Sequence, residues 1–246
     1  MHIGYHKWYS PNLEQDMELK VYGSAGKPML VFPTQEGRFF EFEDFGMVEI
    51  CTPFIEAGKL RIFTVDGIDA QSWTHPNLSV PARVARHEAY ERYLTTEAVP
   101  FMRETMNDPA AQFLSTGCSM GAYHAANFFF RHPDIFDSVL AISGVYTLKL
   151  FIGDYMDDQV YYHTPLAYLA NLTDPWFLER YRRSQIIISV GQGAWEDPML
   201  DETRALKQIL AAKDIPAWID FWGHDVDHDW PWWRKKMSYF LMHMRL

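Results

Sequence analysis

Uncharged, mostly apolar runs alternate along the chain with amphipathic stretches. Four of these runs lack any charge, which is typical of parallel strands buried on both faces: 28–33, 111–116, 138–144 and 185–191. Further strands are predicted at 17–22, 61–65 and 218–222. Helices are predicted between 38 and 58 and at 81–106, 122–131, 201–213 and 230–245. This alternation predicts an α/β fold with a mostly parallel central sheet flanked by helices.

Residues 145–183 interrupt the alternation. They form the longest irregular stretch and are rich in tyrosine, tryptophan, proline and aspartate. No internal repeat, low-complexity segment or linker divides the chain. We therefore expect residues 1–246 to form a single domain, with 145–183 as a lid-like insertion.

The pentapeptide Gly117-Cys118-Ser119-Met120-Gly121 lies between a predicted strand and a predicted helix. A strand, a G-x-S-x-G turn and a helix form the nucleophile elbow of the α/β-hydrolase fold. The serine there has strained backbone angles, so its neighbours must be small. The alternative interpretation is a glycine-rich turn in another kind of parallel α/β protein. The residues that follow the later predicted strands distinguish these two interpretations.

Acidic residues and histidines follow two later strands in the order that a catalytic triad of this fold requires. Glu196 and Asp197 come after the run 185–191, and His224 and His228 come after 218–222. The carboxyl ends of parallel strands meet at one edge of the sheet, where Ser119 also lies. A serine hydroxyl needs a base that a third group orients. The three placements together predict a serine hydrolase.

A metal site is the competing interpretation of the histidine segment. His224, Asp225, Asp227 and His228 could supply ligands, and H-x-x-x-H spacing suits zinc on a helix. This segment is predicted to be a loop, however, and it lacks the glutamate of H-E-x-x-H. We expect neither a metal nor a cofactor.

Composition narrows the range of partners. The net charge of −10 argues against nucleic acid and against an anionic membrane surface. No apolar run approaches the roughly 18 residues that span a bilayer, and the first residues lack a signal-peptide pattern. The two cysteines, Cys51 and Cys118, are too few for a disulfide framework. A small-molecule ester substrate and a cytoplasmic location are expected; the oligomeric state is left open.

Three segments resemble the putative esterase family of α/β-hydrolases, which includes feruloyl esterases, S-formylglutathione hydrolases, enterochelin esterases and mycolyltransferases. They are the elbow with Arg131–Phe136, the segment Asp197–Leu200, and the segment His228–Trp233. The resemblance covers nearly the whole chain. It implies His228 rather than His224 as the base. It also implies Asp197 as the acid, with Glu196 as the alternative.

The chain departs from this family after the strand that builds the oxyanion hole. Many members carry His-Gly there, whereas this chain has Pro33-Thr34-Gln35. Proline has no N–H group, so we expect the backbone N–H groups of Gln35 and Met120 to bind the oxyanion.

These observations predict a serine carboxylic ester hydrolase that works through Ser119, His228 and Asp197 and an acyl-enzyme. An acyltransferase with the same triad, or a non-catalytic binding protein on a hydrolase scaffold, is the alternative.

Overall fold

The computed structural model describes all 246 residues and joins eight strands in one sheet. The strand order is β1-β2-β4-β3-β5-β6-β7-β8. Their bounds are β1 Ile3–Ser10, β2 Gln15–Tyr22, β3 Lys27–Phe32, β4 Leu60–Val65, β5 Phe113–Cys118, β6 Phe136–Ile142, β7 Gln185–Val190 and β8 Trp218–Phe221. β1 and β2 pair antiparallel with their neighbours, and all pairs from β4 to β8 are parallel. The predicted mostly parallel sheet is confirmed.

Helices cover both faces of this sheet. They are α1 Glu41–Asp44, α2 Met47–Glu56, α3 Val80–Tyr93, α4 Val99–Met106, α5 Met120–Arg131, α6 Lys149–Ile152, α7 Asp158–Tyr162, α8 Pro165–Asn171, α9 Pro175–Arg183, α10 Asp197–Ala212 and α11 Trp230–His243. α2 and α11 pack on one face, and α3, α4, α5 and α10 pack on the other. No helix is both long and apolar enough to cross a bilayer.

The structure differs from the prediction at β1 and at two predicted helices. β1 was not predicted, because its apolar residues point to both faces of an exposed edge strand and show no clear period of two. The predicted helix 81–106 is interrupted by a π-helical segment, Leu94–Ala98, just before Pro100. Proline has no N–H for the carbonyl four residues earlier, which disrupts the α-helical pattern there. α10 begins at Asp197, four residues before the predicted start.

Residues 145–183 contain the four short helices α6 to α9. Tyr168, Leu169 and Tyr181 from this segment are part of the main core. The segment is therefore anchored in the body of the fold, and its role as a lid remains a prediction.

Three buried histidines lie together between α3, α5 and the segment after α7. The ring of His87 is 5.4 Å from that of His124 and 4.7 Å from that of His163. His124 is hydrogen-bonded to the buried Asp69 at 2.9 Å, whereas neither ring nitrogen of His87 has a partner. Burial lowers the pKa of His87 well below its ordinary value, and the charge of a protonated His163 would lower it further. His87 is therefore neutral in the folded protein.

We expect His87→Phe to reduce the acid sensitivity of the fold. The folded-state pKa of His87 is depressed, so its contribution to stability is complete above the unfolded pKa of 6.5 and is lost as the pH falls below that value. Urea unfolding at pH 7 and pH 5 should therefore show a smaller loss of stability on acidification in the variant than in the wild type. His2→Phe, at an exposed histidine, is the matched control; equal losses in both variants would contradict the expectation.

Candidate active site

Ser119 occupies a strained turn between β5 and α5, with φ 56° and ψ −124°. The turn has no room for side chains at its two glycines. A Cβ atom on Gly121 would lie 2.5 Å from the carbonyl oxygens of Phe32 and Pro33, and one on Gly117 would lie 2.4 Å from the backbone of Gly121. The two glycines thus allow α5 to approach β3 closely. The strand, turn and helix predicted around Ser119 are present.

The imidazole of His228 lies between Ser119 and a carboxylate. Its Nε2 is 2.8 Å from Ser119 Oγ, and its Nδ1 is 3.3 Å from Glu196 Oε2. The ring packs edge-on against Trp233, and the backbone N–H of His228 donates to the carbonyl of Ala194. The loop after β8 is thereby fixed to the loop after β7, and the ring is held in place on three sides.

The carboxylate at His228 belongs to Glu196, not to Asp197. Asp197 is the first residue of α10, is exposed, and forms no hydrogen bond with His228. Pro198 is compatible with the first turn of a helix. Glu196 immediately precedes α10 and is completely buried. The geometry therefore favours the alternative acid over Asp197, the residue that the resemblance favoured.

Glu196 is also held by groups that the sequence analysis missed. Its Oε1 accepts hydrogen bonds from Ser143 Oγ at 2.6 Å and from the Gly191 N–H at 3.2 Å, and it lies 3.8 Å from Lys236 Nζ. Burial raises the pKa of Glu196, but hydrogen bonds from His228 and Ser143 and the charge of Lys236 outweigh it, so this pKa lies below its ordinary value.

Lys236 is fully buried in α11. It lies on the same face of the helix as Trp233 and Phe240, three and four residues away, so helical spacing alone could have indicated a buried lysine. Burial lowers the pKa of Lys236 to about 8, although the charge of Glu196 opposes this. At neutral pH the pair thus consists of an ammonium and a carboxylate.

The other residues of the competing metal-site interpretation do not converge. His224 is exposed and forms no hydrogen bond, whereas Asp227 Oδ1 accepts one from the Ala194 N–H. No group of three or more histidine, cysteine and carboxylate side chains is arranged to hold a metal ion. Of the two candidate bases, only His228 contacts Ser119.

The loop after β3 is fixed by a carboxylate. Glu41 in α1 accepts hydrogen bonds from the Thr34 N–H at 2.7 Å and from Thr34 Oγ1 at 2.6 Å. The next residue, Gln35, lines the same cavity as Ser119 and Met120. Met120 is the first residue of α5, so its N–H has no acceptor in a preceding helical turn. Both residues that carry the predicted oxyanion donors therefore line the same cavity as Ser119.

This cavity has a volume of about 460 Å³. The apolar part of its wall includes Trp73, Val145, Leu150, Phe151 and Met199. Val145, Leu150 and Phe151 belong to the segment 145–183, which therefore helps to shape the space next to Ser119.

A family model described as "Putative esterase" matches residues 10–244. The chain belongs to the putative esterase family. This membership identifies the chain as an esterase. A sequence comparison with curated proteins found no match.

Solved structures similar to this esterase share its α/β-hydrolase fold at low sequence identity. A ferulic acid esterase is 17% identical with a TM-score of 0.76, and the match covers 98% of this chain and 95% of that one. An S-formylglutathione hydrolase from Agrobacterium tumefaciens is 15% identical with a TM-score of 0.75, covering 98% and 93%. FphF, a fluorophosphonate-binding serine hydrolase from Staphylococcus aureus, is 14% identical with a TM-score of 0.74, covering 98% and 97%.

The buried Lys236 predicts a specific pH dependence of stability. Its folded-state pKa of about 8 lies below its ordinary value of 10.5, so the unfolded chain binds more protons between these two values. Stability therefore rises with pH in this window, by about 1.4 kcal/mol per pH unit. The test is urea unfolding of the wild type and of Lys236→Met at several pH values. The free energy of unfolding of the wild type minus that of the variant should increase from pH 8 to pH 10. A constant difference would show that Lys236 stays protonated in the folded protein.

Proposed function

We propose that this esterase hydrolyses carboxylic esters through an acyl-enzyme on Ser119, with His228 as general base and Glu196 as the acid that orients it. The observation that carries the proposal is the hydrogen-bonded series from Ser119 Oγ to His228 Nε2 and from His228 Nδ1 to Glu196 Oε2. This is the arrangement by which an otherwise weak serine nucleophile is activated.

In the first step Ser119 Oγ attacks the ester carbonyl carbon while His228 Nε2 takes the hydroxyl proton. Glu196 accepts a hydrogen bond from Nδ1–H, which keeps Nε2 free as the base and stabilises the imidazolium. The carbonyl oxygen becomes an oxyanion, for which the backbone N–H groups of Gln35 and Met120 are the proposed donors. The imidazolium then gives its proton to the leaving alcohol, and an ester bond to Ser119 remains.

In the second step water takes the place of the alcohol. His228 removes a proton from the water as it attacks the acyl carbon, and the proton is then returned to Ser119 Oγ as the acid leaves. Each oxyanion donor is worth about 3–4 kcal/mol of transition-state stabilisation in enzymes of this kind. The hydrogen bonds between Glu41 and Thr34 support this role, because they fix the loop that carries Gln35.

Labelling with a fluorophosphonate probe tests the nucleophile directly. Because a serine reacts with this probe only when a base activates it, we expect peptide mass spectrometry to find the adduct on Ser119. Ser119→Ala should abolish both labelling and turnover of p-nitrophenyl acetate, and its thermal unfolding should still be cooperative. Retained turnover in Ser119→Ala, or a wild-type protein that neither labels nor turns over esters, would refute the mechanism.

Glu196→Gln and Asp197→Asn distinguish the two acids. The glutamine amide can donate to Nδ1 and so favour the wrong imidazole tautomer, for which a loss of about 10³- to 10⁴-fold in kcat is expected. Asp197→Asn should change kcat by less than about threefold, since a solvent-exposed side chain at a helix start contributes mainly through the helix dipole. Steady-state kinetics with p-nitrophenyl acetate measures both. The reverse ranking would restore Asp197 as the acid.

A further inference from the structure

The cavity beside Ser119 contains one charged side chain, Arg83. Every other residue of its wall is apolar or neutral. Arg83 takes part in none of the ion pairs of the structure. Its charge is therefore not compensated by a side chain of this protein.

Backbone carbonyl groups hold the guanidinium in a fixed position. Arg83 Nε donates to the carbonyl of Leu78 at 3.0 Å, and Nη1 donates to those of Trp73 at 3.0 Å and Phe151 at 3.1 Å. These bonds occupy three of its five N–H donors. The two N–H groups of Nη2 donate to no group of the chain. A guanidinium that is anchored on one side and free on the other is preorganised for an acceptor supplied by a ligand.

The surroundings favour an anion as that acceptor. Trp73 and Phe151 both belong to the cavity wall, so the carbonyls that anchor Arg83 also place it within that wall. Glu36 follows Gln35 at the edge of the cavity, but its carboxylate is exposed and accepts a hydrogen bond from Thr74 Oγ1 at 2.8 Å. It is not hydrogen-bonded to Arg83. A carboxylate on a ligand would thus meet a fixed cation within a partly apolar cavity.

We propose that Arg83 is a specificity-determining residue that binds a carboxylate of the substrate, so that the preferred substrates are esters carrying a second, ionised carboxyl group. This inference rests on the proposed function of Ser119. The carboxylate can belong to the acyl part or to the alcohol part of the ester, and both would present the same two oxygens to Nη2.

Matched pairs of esters test the proposal. For the acyl side, the pair is p-nitrophenyl hemiglutarate and p-nitrophenyl pentanoate; for the alcohol side, it is 4-(butanoyloxy)benzoate and its methyl ester. In at least one pair, wild-type kcat/KM should be higher for the anionic ester, and Arg83→Met should lower the anionic-to-neutral ratio by about 10- to 100-fold, as expected for a hydrogen bond to a charged group. Arg83→Lys should retain part of the preference, because it keeps the charge but not the fork of donors.

Arg86→Met is the control. Arg86 lies one turn further along α3 and is likewise held by uncharged acceptors, namely Gln71, Leu13 and Gln15, but it does not line the cavity. Its substitution should leave the anionic-to-neutral ratio unchanged. Added salt should also reduce the wild-type ratio, and it should have little effect in Arg83→Met.

The outcomes separate the two proposals. If Ser119 is not labelled by a fluorophosphonate and no ester is turned over, the mechanism itself fails. If neutral esters are hydrolysed and Ser119 is labelled, but neither pair shows a preference that depends on Arg83, the substrate assignment fails while the mechanism stands. A ratio that falls equally in Arg83→Met and Arg86→Met would also overturn it, since it would indicate a general effect of disturbing α3.

Discussion

The arrangement of the site depends on burying the carboxylate of Glu196. An isolated buried carboxylate is very unfavourable, so it must be surrounded by donors or a cation. Here those partners come from four places: Ser143 after β6, the Gly191 N–H after β7, Lys236 in α11 and His228 after β8. Satisfying this one charge therefore brings together the carboxyl ends of three adjacent strands and the last helix. The position of the His228 ring follows from that requirement.

Much of this arrangement could be predicted from the sequence, because its signals are local. The glycines around Ser119 are required by contacts of 2.4 to 2.5 Å that only glycine permits, and the charge-free runs match β3, β5, β6 and β7. The choice between Glu196 and Asp197 is different in kind. The two residues are adjacent at the start of α10, and their side chains point in different directions. The side chain of Glu196 enters the core, whereas that of Asp197 faces water. The resemblance favoured Asp197, whereas the fold buries Glu196 just before α10 and leaves Asp197, the first residue of that helix, exposed.

Features created by distant parts of the chain could not be predicted in this way. Ser143 and Glu196 are 53 residues apart, and Lys236 reaches the same carboxylate from the far end of the chain. The sequence shows that these three side chains are polar. Which of them contact one another, however, depends on how α11 packs against the sheet. The buried histidines are a similar case. His87, His124 and His163 come from separate elements, and only the fold shows that they share one apolar environment.

The loop after β3 shows how a different sequence can serve the same geometry. Without His-Gly at this point, the chain uses the Glu41 carboxylate, which binds both the N–H and the hydroxyl of Thr34. Burial raises the pKa of Glu41, and the bonds from Thr34 oppose that rise by stabilising the carboxylate. The loop and its anchor thus stabilise each other. Because oxyanion binding relies on backbone groups, this support preserves what catalysis needs and leaves the side chains of the loop free to vary. The absence of the family's dipeptide is therefore compatible with an active esterase.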